Sequence, residues 1–222
     1  MNSRSESQAS RLGWQVRFLP PAHPPFSPGR SPFRQKGSAY LGDFEMLDAT
    51  VRGGFAQVLR EAAPEVRDFL SQKFHPSDWY DVLPNPYMQL AAATLRGVSF
   101  EQHQRDTGKW HAARAIRGVY RALLSCLSNE SVALWGPRIS TIYHEFGKCR
   151  TEAAGERVVR CLRTGVPQAL VGWLAPTIIG FTETALVLAG AKSALLRFDE
   201  PEPDGDASKY PLFRLAGRVA WT

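Results

Sequence analysis

With 44% hydrophobic and 22% charged residues, a chain of 222 residues can bury one ordinary core and is too apolar to be disordered throughout. The net charge of +6 is unevenly placed: residues 1–42 hold six basic side chains and one acid, leaving 21 basic against 20 acidic groups, so the body carries no charge footprint for nucleic acid. Three cysteines exclude a disulfide-built secreted fold, and no signal-like segment precedes the body; a reducing cytoplasm is the expected compartment.

Residues 1–45 alternate Ser, Arg and Pro without helical or strand period. They read as a disordered tail, as a proline-rich ligand for an aromatic groove, or as a mis-called start, because Met46 opens the first helical pattern. The single domain is therefore expected over 46–222. Val51, Phe55, Val58 and Leu59 form one apolar stripe, and Pro64 suits the first turn of the next helix. HPSDWYDVLPNPY is a turn-rich loop. Asn85-Pro86 predicts the start of a helix that stops at Gly97, and Ser99 with Gln102 predicts a capping box. Trp110–Leu127 is the clearest helix, with Arg114, Arg117 and Arg121 at i, i+3 and i+7. Those arginines are an anion or acidic-partner surface, or simply a solvated face. Asn129 opens a further helix, interrupted at Gly136-Pro137 and stopping at Gly147.

After Gly147 the period changes. CRTEAAGERVVRCLR reads as a hairpin about Ala154-Gly155; a two-residue turn opposes Cys149 to Arg160 and sends the thiols of Cys149 and Cys161 to opposite faces, whereas a loop one residue longer would bring the two cysteines opposite each other. Val166–Ala191 is the longest apolar run. Leu170, Leu174, Ile178, Phe181, Ala185 and Leu188 share one helical face, Glu183 projects opposite, and Pro176 kinks or restarts the helix. A carboxylate at mid-bilayer costs about 2.5–3.5 kcal/mol, so a core helix is expected and no membrane span. SALLRF then reads as a strand, EPEPDGDAS as an acidic loop and YPLFRLAGRVAW as a final strand. The whole is α+β: N-terminal helices, then strand-strand-helix-strand-strand, an antiparallel sheet with helices packed on one side.

DWY at 78–80, TGKWHAARAIRGVYRALL at 107–124, YHEFG at 143–147, GWL at 172–174, the run from Glu183 to Gly190-Ala191 and Val219-Ala220-Trp221 resemble a myxobacterial paralogous family of unknown function. The order of elements is also similar to the superfamily of haem–nitric-oxide sensor and 4-vinyl-reductase ligand-binding domains. That resemblance implies a small-molecule sensor with an internal pocket. It also implies haem in the sensor branch, held by an axial histidine and a Tyr-x-Ser-x-Arg motif, and cysteine-bound zinc in some vinyl-reductase-type domains. No Tyr-x-Ser-x-Arg occurs in this chain, and Cys149 and Cys161 supply only two ligands, so no cofactor and no metal are expected. His103 and His111 do not form a single-face metal pair, and His144 reads as an ordinary buried or surface histidine. Nucleophile-elbow, P-loop, dinucleotide-binding and zinc-protease motifs are absent.

The expected function is a non-enzymatic ligand-binding or regulatory domain with an apolar pocket between helices and sheet. Tyr120, Tyr143, Phe146, Trp173 and Phe181 are its candidate lining, and the same rings could simply fill the core. The alternative is a protein-interaction adaptor working through the tail or the arginine stripe.

Overall fold

A computed structural model describes residues 15–117 and 128–222. Tyr120 and Arg121 lie outside the described residues, as do the side chain of Arg117 and the expected helix end at 118–127. Gly53 and Gly54 take φ of 84° and 63°, the left-handed region open to glycine. The stretch expected as one helix from Met46 accordingly divides into α1 (Gly37–Thr50) and α2 (Gly54–Glu61), and Met46 lies well inside α1. Pro64 opens α3 (Pro64–Leu70), as its missing donor allows. α4 (Pro84–Arg96) begins at Pro84 rather than behind Asn85, and it ends at Gly97 with φ 65°. Ser99 Oγ accepts from the Gln102 amide at 3.1 Å, one half of the expected capping box. α5 (Phe100–Arg117) then runs through Trp110 without a break. α6 (Asn129–Trp135), capped by Ser128, tightens at Gly136-Pro137 into a 3-10 turn, Gly136–Ile142, where an α-helix through Phe146 was expected.

The segment before α1 departs most from the sequence reading. Phe18, Phe33 and Tyr40 are buried, so residues 17–45 are packed rather than loose. Phe18 and Phe33 are held by aromatic contacts with Phe213, Phe146 and Tyr210, and the turn at residues 29–31 is held by one carboxylate. Asp81 accepts from the Gly29 amide at 2.9 Å, the Ser31 amide at 3.1 Å, Ser31 Oγ at 2.5 Å and the Leu83 amide at 2.9 Å. Charge-assisted bonds of this kind hold a turn-rich chain that has no periodicity of its own. The DWY loop is thereby a strand, β2 (Trp79–Asp81), paired antiparallel with β1 (Arg34–Lys36).

The main sheet is antiparallel in the order β3 (Lys148–Ala153), β4 (Val158–Pro167), β7 (Tyr210–Trp221), β5 (Ala194–Phe198), with β6 (Glu202–Ala207) beside the first half of β7. The acidic stretch expected as a loop is thus an edge strand. Ser208 and Lys209, with φ of 51° and 62°, form its hairpin turn, and a bulge between Pro203 and Asp206 absorbs Gly205. Between β3 and β4 the loop is longer than two residues. Cys149 pairs with Arg163 and Thr151 with Cys161, so the two thiols share a face instead of opposing it. Both are free, and burial pushes the Cys161 thiol up to about 12.

α7 (Gln168–Leu188) is one continuous helix through Pro176. Leu170, Leu174, Ile178, Phe181 and Ala185 are buried as expected, but so are Val171, Ile179 and Leu186 on other sides, while Leu188 is 50% exposed. The helix is long and apolar enough to cross a membrane, yet 78% of its most apolar window is buried inside the protein, between α5 and the sheet. Glu183 does not project to solvent. Its side chain is 19% exposed and Oε1 accepts from the Leu196 amide at 3.1 Å, tying α7 to β5. Contact with α5 is backbone to backbone: a Cβ on Gly108 would lie 2.1 Å from the Thr177 carbonyl oxygen, and one on Gly180 would lie 2.0 Å from that of Arg105.

Candidate functional site

β1 has a second neighbour besides β2. The Lys36 amide donates to the Tyr143 carbonyl at 2.9 Å and the Glu145 amide to that of Arg34 at 3.0 Å, which makes Gln35 and His144 directly opposed antiparallel partners. Residues so opposed send their side chains to the same face. Both line a partly open cavity of about 210 Å³ bounded by α1, α5, α6, the 3-10 turn and α7. Its apolar wall is Trp135, Ile139, Tyr143, Trp173, Leu174 and Phe181.

The polar groups in this wall differ in how far they are satisfied. Asp43 accepts from Asn85 Nδ2 at 2.7 Å and from His111 Nε2 at 2.9 Å, so both of its oxygens are bonded. Gln35 is 0% exposed; its carboxamide lies near the Tyr40 hydroxyl, but that hydroxyl donates to the Asp81 carbonyl at 2.6 Å, and neither the carboxamide oxygen nor its nitrogen makes a hydrogen bond of normal geometry. His144 Nδ1 is likewise shut off from solvent and unpartnered. Burial, assisted by the positive charge of Arg163, drives the His144 pKa well below the usual imidazole range, so the ring is neutral. That ring stacks on Phe146 at 4.9 Å between centroids, and the Arg163 guanidinium lies 5.7 Å from the Phe146 centroid on the ring face. Arg163, itself buried, donates to Ser140 Oγ and to the Phe146 carbonyl at 3.4 Å, and burial lowers its pKa to about 10.

Of the residues singled out from sequence, Tyr143, Trp173 and Phe181 meet in this cavity. Phe146 sits one layer behind, as the plate beneath His144. Arg114 stands at the rim, paired with Glu45 at 2.6 Å and 5.7 Å from the Trp110 ring, so it is no free anion site. The cavity lies among helices, which corrects the expected place between helices and sheet. α7 separates the two, because its far side packs on the strands. Gln35, Asp43, His111 and the neutral His144 were not foreseen as lining. The adjacency of Gln35 and His144 is a strand pairing across more than a hundred residues of chain, which no local pattern announces.

His103 is buried elsewhere, between α4 and α5. Its Nδ1 accepts from Arg96 Nη1 at 2.8 Å and its Nε2 donates to Gln89 Oε1 at 2.7 Å. Burial, with the Arg96 charge beside it, lowers its pKa from 6.5 to about 4. The unfolded chain therefore binds a proton between those values that the folded one refuses. Stability contributed by the neutral ring is whole above pH 6.5 and is lost as pH falls toward 4, by on the order of 3 kcal/mol. Urea midpoints measured from pH 7 to pH 4.5 should fall steadily, and His103→Gln should flatten part of that slope.

With this architecture in view, the fold has clear counterparts among solved structures. A mutant T. tengcongensis H-NOX protein superposes with TM-score 0.61 at 9% identity, covering 84% of this chain and 97% of that one. An Fe(II) unliganded H-NOX mutant from K. algicida gives 0.61 at 11% identity over 84% and 96%. An oxygen-binding H-NOX domain related to soluble guanylate cyclases gives 0.60 at 9% identity over 84% and 95%. The chain thus has the α+β fold of H-NOX domains. No protein-family model and no curated protein matches its sequence.

The residues here do not fit haem. The cavity of about 210 Å³ is below the ~300–1,000 Å³ typical of drug-sized ligands, and a porphyrin is larger than most of those. The rim arginine that could meet a propionate, Arg114, is already paired with Glu45.

Proposed function

We propose that this domain is a non-enzymatic, sensor-like ligand-binding module whose ligand is a small uncharged molecule of one or two rings. The observation that carries the reading is the side-by-side placement of two unsatisfied polar groups, the Gln35 carboxamide and His144 Nδ1, on a wall whose charged members are already paired, Asp43 with His111 and Arg114 with Glu45. Leaving a buried polar group unpaired costs about 1–3 kcal/mol, and a ligand that bonds to it recovers that cost. A dry cavity of ~150 Å³ accepts benzene, so about 210 Å³ suits a ring with a short polar substituent. Neutral His144 and neutral Gln35 favour a ligand presenting an adjacent donor and acceptor, such as an amide edge, and disfavour a charged one. The H-NOX fold supports a sensor role by analogy, and the resemblance to a myxobacterial paralogous family, with its reducing cytoplasm, belongs to the same proposal. The non-enzymatic part rests on the absent catalytic motifs.

Benzamide and toluene, one with an amide edge and one without, distinguish this reading from simple hole-filling. Benzamide should raise the thermal midpoint and perturb the fluorescence of Trp135 and Trp173; toluene should do less. Gln35→Leu should raise the midpoint of the free protein, since an orphaned amide is removed, and should abolish the benzamide response. Equal responses to both probes in both proteins, or none in either, would refute the proposal.

A further inference from the structure

The sheet has a second face, turned away from α7, and its register places like charges in a row. Glu152 of β3 opposes Arg160 of β4, Arg160 opposes Arg218 of β7, and Arg218 opposes Arg197 of β5. With strands roughly 4.8 Å apart, the three arginine stems stand within about 10 Å of one another on one side of the sheet. Like charges directly opposed destabilise a sheet, so the row does not serve the fold. Nor is it neutralised. Arg160 reaches Glu152 only at 3.9 Å, and among the described residues Arg150, Arg197 and Arg218 make no ion pair. In the next row Arg150 opposes Leu162, which opposes Ala216; in the row on the other side Val158 opposes Ala220, which opposes Leu195. Arg150, Leu162, Ala216, Arg218, Ala220 and Arg197 are all exposed. A cavity of about 690 Å³ opens beside the row; the charged side chains lining it are Arg138, Arg150, Arg160 and Arg218 against Glu152 and Asp199.

We propose that this outer face docks an acidic segment of a partner protein. Charge complementarity selects the occupant: guanidinium groups bind carboxylates in bidentate fashion, and unpaired arginines with short aliphatic neighbours suit an interface core better than a solvated surface. Nucleic acid is the poorer match. No aromatic side chain stands in these three rows to stack on a base, and the chain beyond residue 42 is nearly neutral overall. The surface is separate from the ligand cavity, so this inference does not rest on the function proposed above. It relocates the acidic-partner surface from the α5 stripe, where Arg114 is already paired, to the sheet.

The test uses the full chain and two fluorescein-labelled probes, a peptide of alternating glutamate and threonine and a mixed-sequence DNA duplex. Anisotropy should show peptide binding that weakens with salt. It should weaken at least about tenfold in the triple variant Arg160→Gln, Arg197→Gln, Arg218→Gln. A matched variant, Arg52→Gln, Arg60→Gln, Lys73→Gln, removes the same charge from exposed positions elsewhere and should bind as the parent does. The sheet variant should melt no lower than the parent, because repulsion within the row is relieved, and this separates lost binding from lost folding. The proposal is overturned if the peptide does not bind, if both triple variants weaken it equally, or if the duplex binds as tightly and is lost with the same arginines.

Discussion

Gly180→Ala and Gly108→Ala should each cost at least about 3 kcal/mol, and the pair together should leave no folded protein. Helix propensity alone argues the other way, since alanine favours a helix interior by about 1 kcal/mol over glycine. The direction of the effect is therefore diagnostic. A Cβ on Gly180 would lie 2.0 Å from the Arg105 carbonyl oxygen, and one on Gly108 would lie 2.1 Å from that of Thr177 and 2.7 Å from the Phe181 amide. The colliding atoms are backbone, so no rotamer change relieves them and α5 must move off α7. That contact is the largest between any two elements, and parting it strips cover from Trp173, Ile178 and Phe181 on the cavity side of α7. Urea denaturation of the two single variants against the parent measures the effect. A gain in stability at either position would mean that the helices do not cross there, and the cavity they enclose would go with them.

A chain begun at Met46 should fail to fold cooperatively. It would lack Phe18, Phe33 and Tyr40, each buried, and truncations of such rings cost about 3–5 kcal/mol apiece. Their sum is comparable to the whole stability of a domain, about 5–15 kcal/mol. Losing Ser31 and Gly29 would also leave the buried Asp81 carboxylate without three of its four donated hydrogen bonds. Rather than rely on one drastic deletion, Phe18→Ala and Phe33→Ala in the full chain give graded readings. Phe18 meets Phe213 edge to face at 5.0 Å and its carbonyl lies against Gly172, so it anchors to both β7 and α7. Thermal midpoints unchanged in both variants would restore residues 1–45 to the role of a dispensable tail.

The sequence readings succeeded where a signal was local. Pro64, Gly97, Ser99 and Gly136-Pro137 act within one turn of the chain, and each marks a helix boundary in the structure within a residue or two. YPLFRLAGRVAW alternates because one face meets the core, and it is β7. The failures share a cause as well. Residues 17–36 contain no period because their order comes from separate distant anchors, Asp81 for Gly29 and Ser31 and Phe213 for Phe18, not from a repeating apolar face. EPEPDGD is a strand only because β7 is long enough to pair with it beyond the end of β5.

The candidate site divides in the same way. Tyr143, Trp173 and Phe181 could be named from sequence because aromatic rings at helical spacing face inward, and the apolar character of the Val166–Ala191 run alone made it a core helix. Which of those rings border a cavity and which fill space was decided by the α5–α7 crossing, set by two glycines whose lack of a side chain carries no direction in the sequence. The polar pair Gln35 and His144 depends on one antiparallel bridge, and the arginine row on the registers of β4 and β5 against β7. Composition and period thus determined that this chain is an α+β domain built around one apolar helix. Long-range pairing register and close backbone approach, which are properties of two segments at once, decided where it has a cavity and where it leaves its charges unpaired.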